Sequence, residues 1–311
     1  MRVRKLLAYA AIYILWGGSF LAIREIVAVV PPFFAAGFRF TLAGLVLLLW
    51  SRLTGPVELG PRQIAGASIL GLIMFTCLYA GLFWAEIRIA SGIAAVVSAM
   101  IPVWIFAGEV FLLRTQRATA LSLGGILLGF AGVALLALNS PGAAPHAAER
   151  THTSTLAVLV TVAGTICWSC GTLLSRRLTL PRPQKANAGW QMFSGGFLLL
   201  LLSAAAGEFR RFPARPLLLS TPVVVSMAYL VLAAPIVAYT AYVWIITHDS
   251  PTRVSSYAYV NPVFALILGA TLAGERLAPL QFAGAALVLA GVVATLMGKQ
   301  APADPRPGVR D

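Results

Sequence analysis

Long apolar runs separated by short polar joints set the pattern of this chain. A hydrocarbon core about 30 Å thick takes roughly 20 consecutive apolar residues of helix to cross. Ten stretches reach that length: residues 7–28, 31–51, 63–85, 89–112, 118–138, 154–175, 186–206, 218–246, 251–274 and 278–298. The joints at 29–30 and 275–277 are so short that the helices on either side must run antiparallel. Pro31 and Pro32 mark the second start, because proline is tolerated in a helix's first turn. The opening "MRVRKLLAYAAIYILWGG" has the basic start of a signal peptide. Its apolar run is too long, however, and no small-x-small cleavage site follows, so it reads as a retained first helix.

The pattern is written twice. At a shift of 152 residues, Trp16 falls on Trp168, Arg24 on Arg176, Gly37 on Gly189 and Gly44 on Gly196. At 160, Tyr79 falls on Tyr239, Trp84 on Trp244 and Pro102-Val103 on Pro262-Val263. At 159, Gly125 falls on Gly284 and Ala131-Gly132-Val133 on Ala290-Gly291-Val292. Each half then holds five stretches, and an odd number makes the second copy enter the membrane from the opposite side. The predicted fold is an all-α membrane protein of ten transmembrane helices in two inverted-topology five-helix repeats. Residues 7–138 are the first repeat, 139–153 a linker loop, 154–298 the second repeat and 299–311 a disordered cytoplasmic tail. Many secondary transporters have this architecture, the halves exchanging conformations around a midplane site. The alternative is a duplicated bundle without transport, a membrane scaffold or sensor.

Composition agrees about the solvent. The chain is 59% apolar and 11% charged, against about 25% charged in soluble domains. The net charge of +13 sits in the joints rather than on one face, so the positive-inside rule explains it and no nucleic-acid partner is expected. With the N-terminus cytoplasmic, the joints on that side carry fifteen Lys and Arg against six on the other. Both termini are therefore expected inside, although Arg210, Arg211 and Arg215 run against the count. Arg24 and Arg39 remain at membrane depth. Cys167-x-x-Cys170 has no His or second pair nearby and reads as small packing residues. His146, His152 and His248 form no ligand pattern, and there is no Walker lysine loop or nucleophile elbow. No metal, no cofactor, no ATP drive and no enzymatic activity are expected.

"YILWGGSFLAIR" (13–24), "FRFTLAG" (38–44), "SYAYVNPVFALILGATLAGERL" (256–277) and "GAALVLAGV" (284–292) together resemble the drug/metabolite transporter superfamily, in its ten-span EamA-type branch. The resemblance covers about residues 7–298. It implies an inner-membrane carrier of small metabolites, often an exporter, with a central cavity between its halves. Amino acids or related amphiphilic compounds suit such a cavity. One departure stands out: where the first half would echo "GERL" it reads "LLRTQRA", so the counterpart of Glu275 is Thr115.

Arg39 lies eight residues past Pro31, roughly 12 Å deep. A charge there faces a cavity or a partner. Its planar fork suits a carboxylate or phosphate, or it is a structural arginine bonded to helix carbonyls or to an acid such as Glu86. Its counterpart is the uncharged Gln191. Glu109, late in the fourth stretch, is the proton-coupling candidate; the alternative is an interfacial acid paired with Arg114. Trp16, Tyr79, Trp168 and Tyr239 sit deep, as cavity wall or helix packing, and Tyr242 joins these aromatics. Trp84 and Trp244 sit near ends and read as interfacial anchors. Tyr257 and Asn261, four apart, share a helix face where the first copy has Val97 and Ile101. Cargo in a cavity or a bond to a neighbouring helix would satisfy them. Pro102, Pro235 and Pro262 free carbonyls and make bends where gating can occur, or static kinks. The Gly125-x-x-x-Gly129 pair, Gly132 and the stripe from Gly284 to Gly291 favour close helix contact, within a monomer or in a weak homodimer.

Overall fold

Proline, glycine and charge cluster where the hydropathy pattern places the joints, and helices fill the intervals between. The computed structural model describes residues 2–138, 147–212, 218, 220–246, 248 and 256–298. The helices are α1 (Arg2–Val27), α2 (Pro32–Leu53), α3 (Pro61–Glu86), α4 (Ser91–Leu112), α5 (Ala120–Leu138), α6 (Ala147–Ser175), α7 (Gln184–Ala205), α8 (221–246), α9 (Tyr257–Leu272) and α10 (Pro279–Met297). Among the described residues there is no strand, and an isolated bridge joins Glu58 to Arg182. Nine of these helices contain a stretch long and apolar enough to cross a membrane, and α9 is apolar but shorter. The expected start of the ninth stretch at 251 lies outside the described residues, as do 139–146 of the linker and the tail at 299–311. Within the linker range, the backbone is already helical from Ala147. The run Ala147-Ala148-Glu149-Arg150 consists of good helix formers, so the loop read there gives way to helix.

The outer surface fits lipid and not water. Leu127, Phe111, Leu53 and Phe282 all point outward. A soluble chain does not leave so much apolar surface uncovered. Cys77 and Cys170 also face outward, so the packing role read for Cys170 does not hold; Cys167 is half-buried.

Two helix pairs form the closest seams, α2 with α7 and α5 with α10. A methyl placed on Gly44 would lie 2.7 Å from the Gly189 carbonyl oxygen, and one on Gly189 3.1 Å from that of Gly44. Gly132 and Gly284 make the same reciprocal approach at 2.7 and 3.1 Å. Gly37 meets Gly196, and Gly125 meets Gly291. These glycine stripes therefore meet inside the chain. In each seam the early glycine of one helix meets the late glycine of its counterpart, so counterpart helices run antiparallel.

Three helices are irregular. The segment Gly71–Cys77 of α3 is π-helical, and so is Tyr229–Ala238 of α8. At the 160-residue shift the first falls inside the second. Such wide turns recur at functional sites. In α4 the α-helix ends at Ser98 and resumes at Ile101, just before Pro102, and finishes in a π turn over Gly108–Leu112. Pro102 thus divides its helix and Pro235 lies in the π segment of α8, whereas α9 runs unbroken through Pro262.

Candidate functional site

Arg39 sits about two turns into α2, with only 4% of its surface exposed. Aromatic rings surround its guanidinium. Phe40 lies 4.3 Å from it, Tyr79 5.4 Å and Phe83 5.8 Å. Such contacts stabilise a desolvated cation by about 2 kcal/mol. Nε and Nη1 nevertheless have no hydrogen-bond acceptor. Glu86, the last residue of α3, is 1% exposed, and both its carboxylate oxygens lack a donor. Phe83, which the Arg39 guanidinium faces at 5.8 Å, lies one helical turn before Glu86, yet no hydrogen bond joins those atoms of the two side chains.

The aromatics gather in two groups. In the first, Tyr79 stands 4.4 Å from Phe40 and 6.2 Å from Trp168, and Trp168 lies 5.4 Å from Phe75. In the second, Trp16 stands 5.5 Å from Tyr242 and 5.2 Å from Tyr257, which are 5.9 Å apart. Each group sets the first-helix tryptophan of one half against a third-helix tyrosine of the other. The Trp16 indole donates to the Ala234 carbonyl at 3.0 Å, beside Pro235 in the π segment. Tyr239 belongs to neither group and packs, half-buried, against the core. Asn261 is buried on α9 with Oδ1 unpartnered. Gln191, the counterpart of Arg39, donates to Asn187 on its own helix at 2.7 Å.

Ion pairs tie the two halves together at counterpart positions. Arg24 of α1 reaches Glu275, beyond α9, at 3.0 Å and donates to the Ile89 carbonyl at 3.1 Å. Glu275 also accepts from the backbone N–H and hydroxyl of Ser91, at 2.9 and 3.1 Å. Arg176, the counterpart of Arg24, donates to Glu109 of α4 at 2.8 Å. Arg114 is therefore not the partner that the sequence offered for Glu109. Ser91 and Glu109 mark opposite ends of α4, roughly 27 Å apart at 1.5 Å per residue. One ion pair thus stands near each end.

The missing acidic turn is also explained. Arg114 and Gly274, 160 residues apart, both adopt the left-handed conformation, with φ of 53° and 62°. The next residue closes onto the carbonyl six back in both halves: Thr115 on Glu109 at 2.8 Å, and Glu275 on Gly269 at 2.9 Å. The turn is the same, but its carboxylate comes from Glu275 in the second half and from Glu109, the counterpart of Gly269, in the first. Gly269 leaves the space that the Glu275 carboxylate occupies.

The helix ends repeat as well. The Arg88 guanidinium lies 3.8 Å over the Trp84 ring, and His248, its counterpart, stacks on Trp244 at 4.2 Å. Glu208 accepts from the Phe33 and Phe34 N–H groups at 3.2 and 2.8 Å, capping α2 from the turn after α7.

The model of the EamA-like transporter family matches this chain twice, over residues 4–138 and 155–297. The chain belongs to the EamA-like transporter family. Among its relatives is the uncharacterised inner membrane transporter YedA of Escherichia coli K12, 34% identical over 305 residues, covering 96% of this chain and 94% of YedA. A probable amino-acid metabolite efflux pump of Salmonella typhimurium LT2 is 25% identical over 292 residues, covering 92% and 93%. A crystal structure of a protein 21% identical superposes with a TM-score of 0.61 over 95% of this chain and 98% of that one. That likeness concerns the fold alone. As an EamA-family chain, it is a multi-pass membrane protein of a transporter family. Arg39, Tyr79 and Trp168 come together in the first aromatic group, and Trp16, Tyr242 and Tyr257 in the second. Glu86 was visible in the sequence only as one possible partner for Arg39, and Arg24–Glu275 was not visible at all.

Proposed function

We propose that this chain is a secondary transporter of the inner membrane, not an enzyme, that moves small metabolites by alternating access around a central cavity between two inverted halves. Amino acids or related amphiphilic compounds are its cargo, export its direction, and both termini are cytoplasmic. The pair Arg24–Glu275 at one end of α4 and its counterpart Glu109–Arg176 at the other carry this reading. Each joins the first helix of one half to the end region of a helix in the other, where a closing gate needs a contact that can break. The antiparallel glycine seams support the inverted relation of the halves. The relative named as a probable amino-acid metabolite efflux pump supports the cargo class.

In this reading Arg39, Trp16, Tyr79, Trp168, Tyr239, Tyr242, Tyr257 and Asn261 line the cargo path. Pro102, Pro235 and Pro262, with the π turns of α3 and α8, supply the bending. Protonation of Glu109 releases Arg176 and couples opening of that end to the proton gradient. The deciding experiment is substrate-dependent counterflow in proteoliposomes against a metabolite library. Counterflow for some member is expected; a protein that shows none for any member is a scaffold or sensor. Glu109→Gln should remove the dependence on a pH gradient, and unchanged dependence takes Glu109 out of the coupling.

A further inference from the structure

Four ionisable side chains lie toward the end of the bundle where the first aromatic group approaches the start of α4. Arg24 comes from α1, Arg39 from α2, Glu86 from α3 and Glu275 from the turn after α9. The Arg39 guanidinium lies 5.8 Å from Phe83, one helical turn before Glu86, and Arg24 donates to the Ile89 carbonyl three residues after it. Two of the four satisfy each other, since Arg24 holds Glu275 at 3.0 Å and Ser91 completes the shell of that carboxylate. Arg39 and Glu86 are left over. Each is buried, each has polar atoms without a partner, and one is basic while the other is acidic.

Leaving a charged group buried and unpaired costs several kcal/mol. Native proteins keep such groups where something else completes them. A simple anion would complete Arg39 and leave its own charge facing Glu86. A simple cation would complete Glu86 and face Arg39. A molecule carrying both charges completes both at once. We propose that Glu86 is a cargo-binding residue, and that Arg39 and Glu86 are the two poles of a site for a zwitterionic amino-acid head. The cargo carboxylate accepts hydrogen bonds from the Arg39 guanidinium, and the cargo ammonium donates to the Glu86 carboxylate. Phe40, Tyr79 and Phe83 flank the guanidinium and offer an apolar wall to the cargo side chain. This assignment rests on the carrier reading and sharpens it: either pole rejects a ligand that lacks the matching charge.

The test uses the purified full-length protein and equilibrium binding of the standard L-amino acids. The tightest binder is then compared with its deaminated acid and its carboxamide. Removing one charge-assisted contact should weaken binding at least about tenfold, so both analogues should fall behind the parent by that factor. Glu86→Gln should bind the parent and its deaminated acid equally well, because the ammonium has lost its partner. Arg39→Gln should lose the distinction between parent and carboxamide instead. If no amino acid binds, or if the wild-type protein binds the deaminated acid as tightly as the parent, the assignment is wrong. The analogue series on the wild-type protein decides this even where a variant fails to fold. Counterflow of a cargo that is not zwitterionic would overturn the assignment and leave the carrier reading intact. Absence of counterflow for every cargo would overturn the carrier reading itself.

Discussion

Arg176 donates to Glu109 at 2.8 Å across the boundary between the two halves, with the Arg176 side chain 55% exposed. A pair whose cation is this wet holds weakly, by about 0–1 kcal/mol. Glu109→Gln should therefore lower stability by less than about 1 kcal/mol in denaturant titrations in detergent. In Arg24–Glu275 the two side chains are 27% and 6% exposed, and Ser91 adds two hydrogen bonds to the carboxylate. Glu275→Gln should cost about 1.5–3 kcal/mol in the same assay. Equal losses in the two variants would contradict the difference in burial.

The seams between counterpart helices predict a sharp contrast among glycines. Gly132→Ala would drive its methyl to 2.6 Å from the Val288 backbone nitrogen and 2.7 Å from the Gly284 carbonyl oxygen. Such overpacking costs about 1–3 kcal/mol. Gly124 has open space around it, so Gly124→Ala should be neutral or stabilising by up to about 1 kcal/mol. Thermal unfolding of the two variants side by side checks the prediction.

Glu208 closes the start of α2 with two charge-assisted bonds, to Phe33 and Phe34. Glu208→Ala should lower stability by about 1–2 kcal/mol, the usual cost of a lost N-terminal cap. Hydrogen exchange should speed up at the first turn of α2 before it does elsewhere.

Trp16 is the clearest probe of the π segment in α8. Trp16→Phe keeps a ring beside Tyr242 and Tyr257 but leaves the Ala234 carbonyl without its indole donor. A loss of about 1 kcal/mol is expected. Fluorescence-monitored unfolding of the variant against wild type measures it.

Arg39→Lys tests whether geometry or charge matters at the depth of α2. Lysine keeps the charge but has neither the planar fork nor the flat face that lies against Phe40 and Tyr79. Counterflow should fall by at least about tenfold in a protein that still purifies as a folded species. Full activity would show that a point charge is enough.

Much of the bundle was legible because lipid imposes one strict rule, a long apolar run for each crossing. The described helices accordingly follow the ten stretches read from hydropathy. Pro31, Pro32 and Pro102 marked a helix start and a break because proline removes a donor whatever surrounds it. The π turns left no signal beyond Pro235, since a wide turn in an apolar helix changes no residue class. Glu109 showed itself as an acid in an apolar run, but its partner did not. The matching carboxylate of the other half sits six positions further along, on Glu275, and only the folded turn brings the two into equivalent places. Arg39 was visible as a charge at depth. Its relation to Glu86 depends on two helices lying side by side, and a single sequence does not write that down.

Backbone lying directly on backbone leaves no soft layer to shear. Where Gly44 faces Gly189 and Gly132 faces Gly284, the main chains touch with no side chain between them. Sliding there would drive carbonyl oxygens into one another. Those four helices must travel as two stiff struts, and any rocking of the molecule falls to the remaining six, which meet through rings and ion pairs that can swing, unstack and re-form.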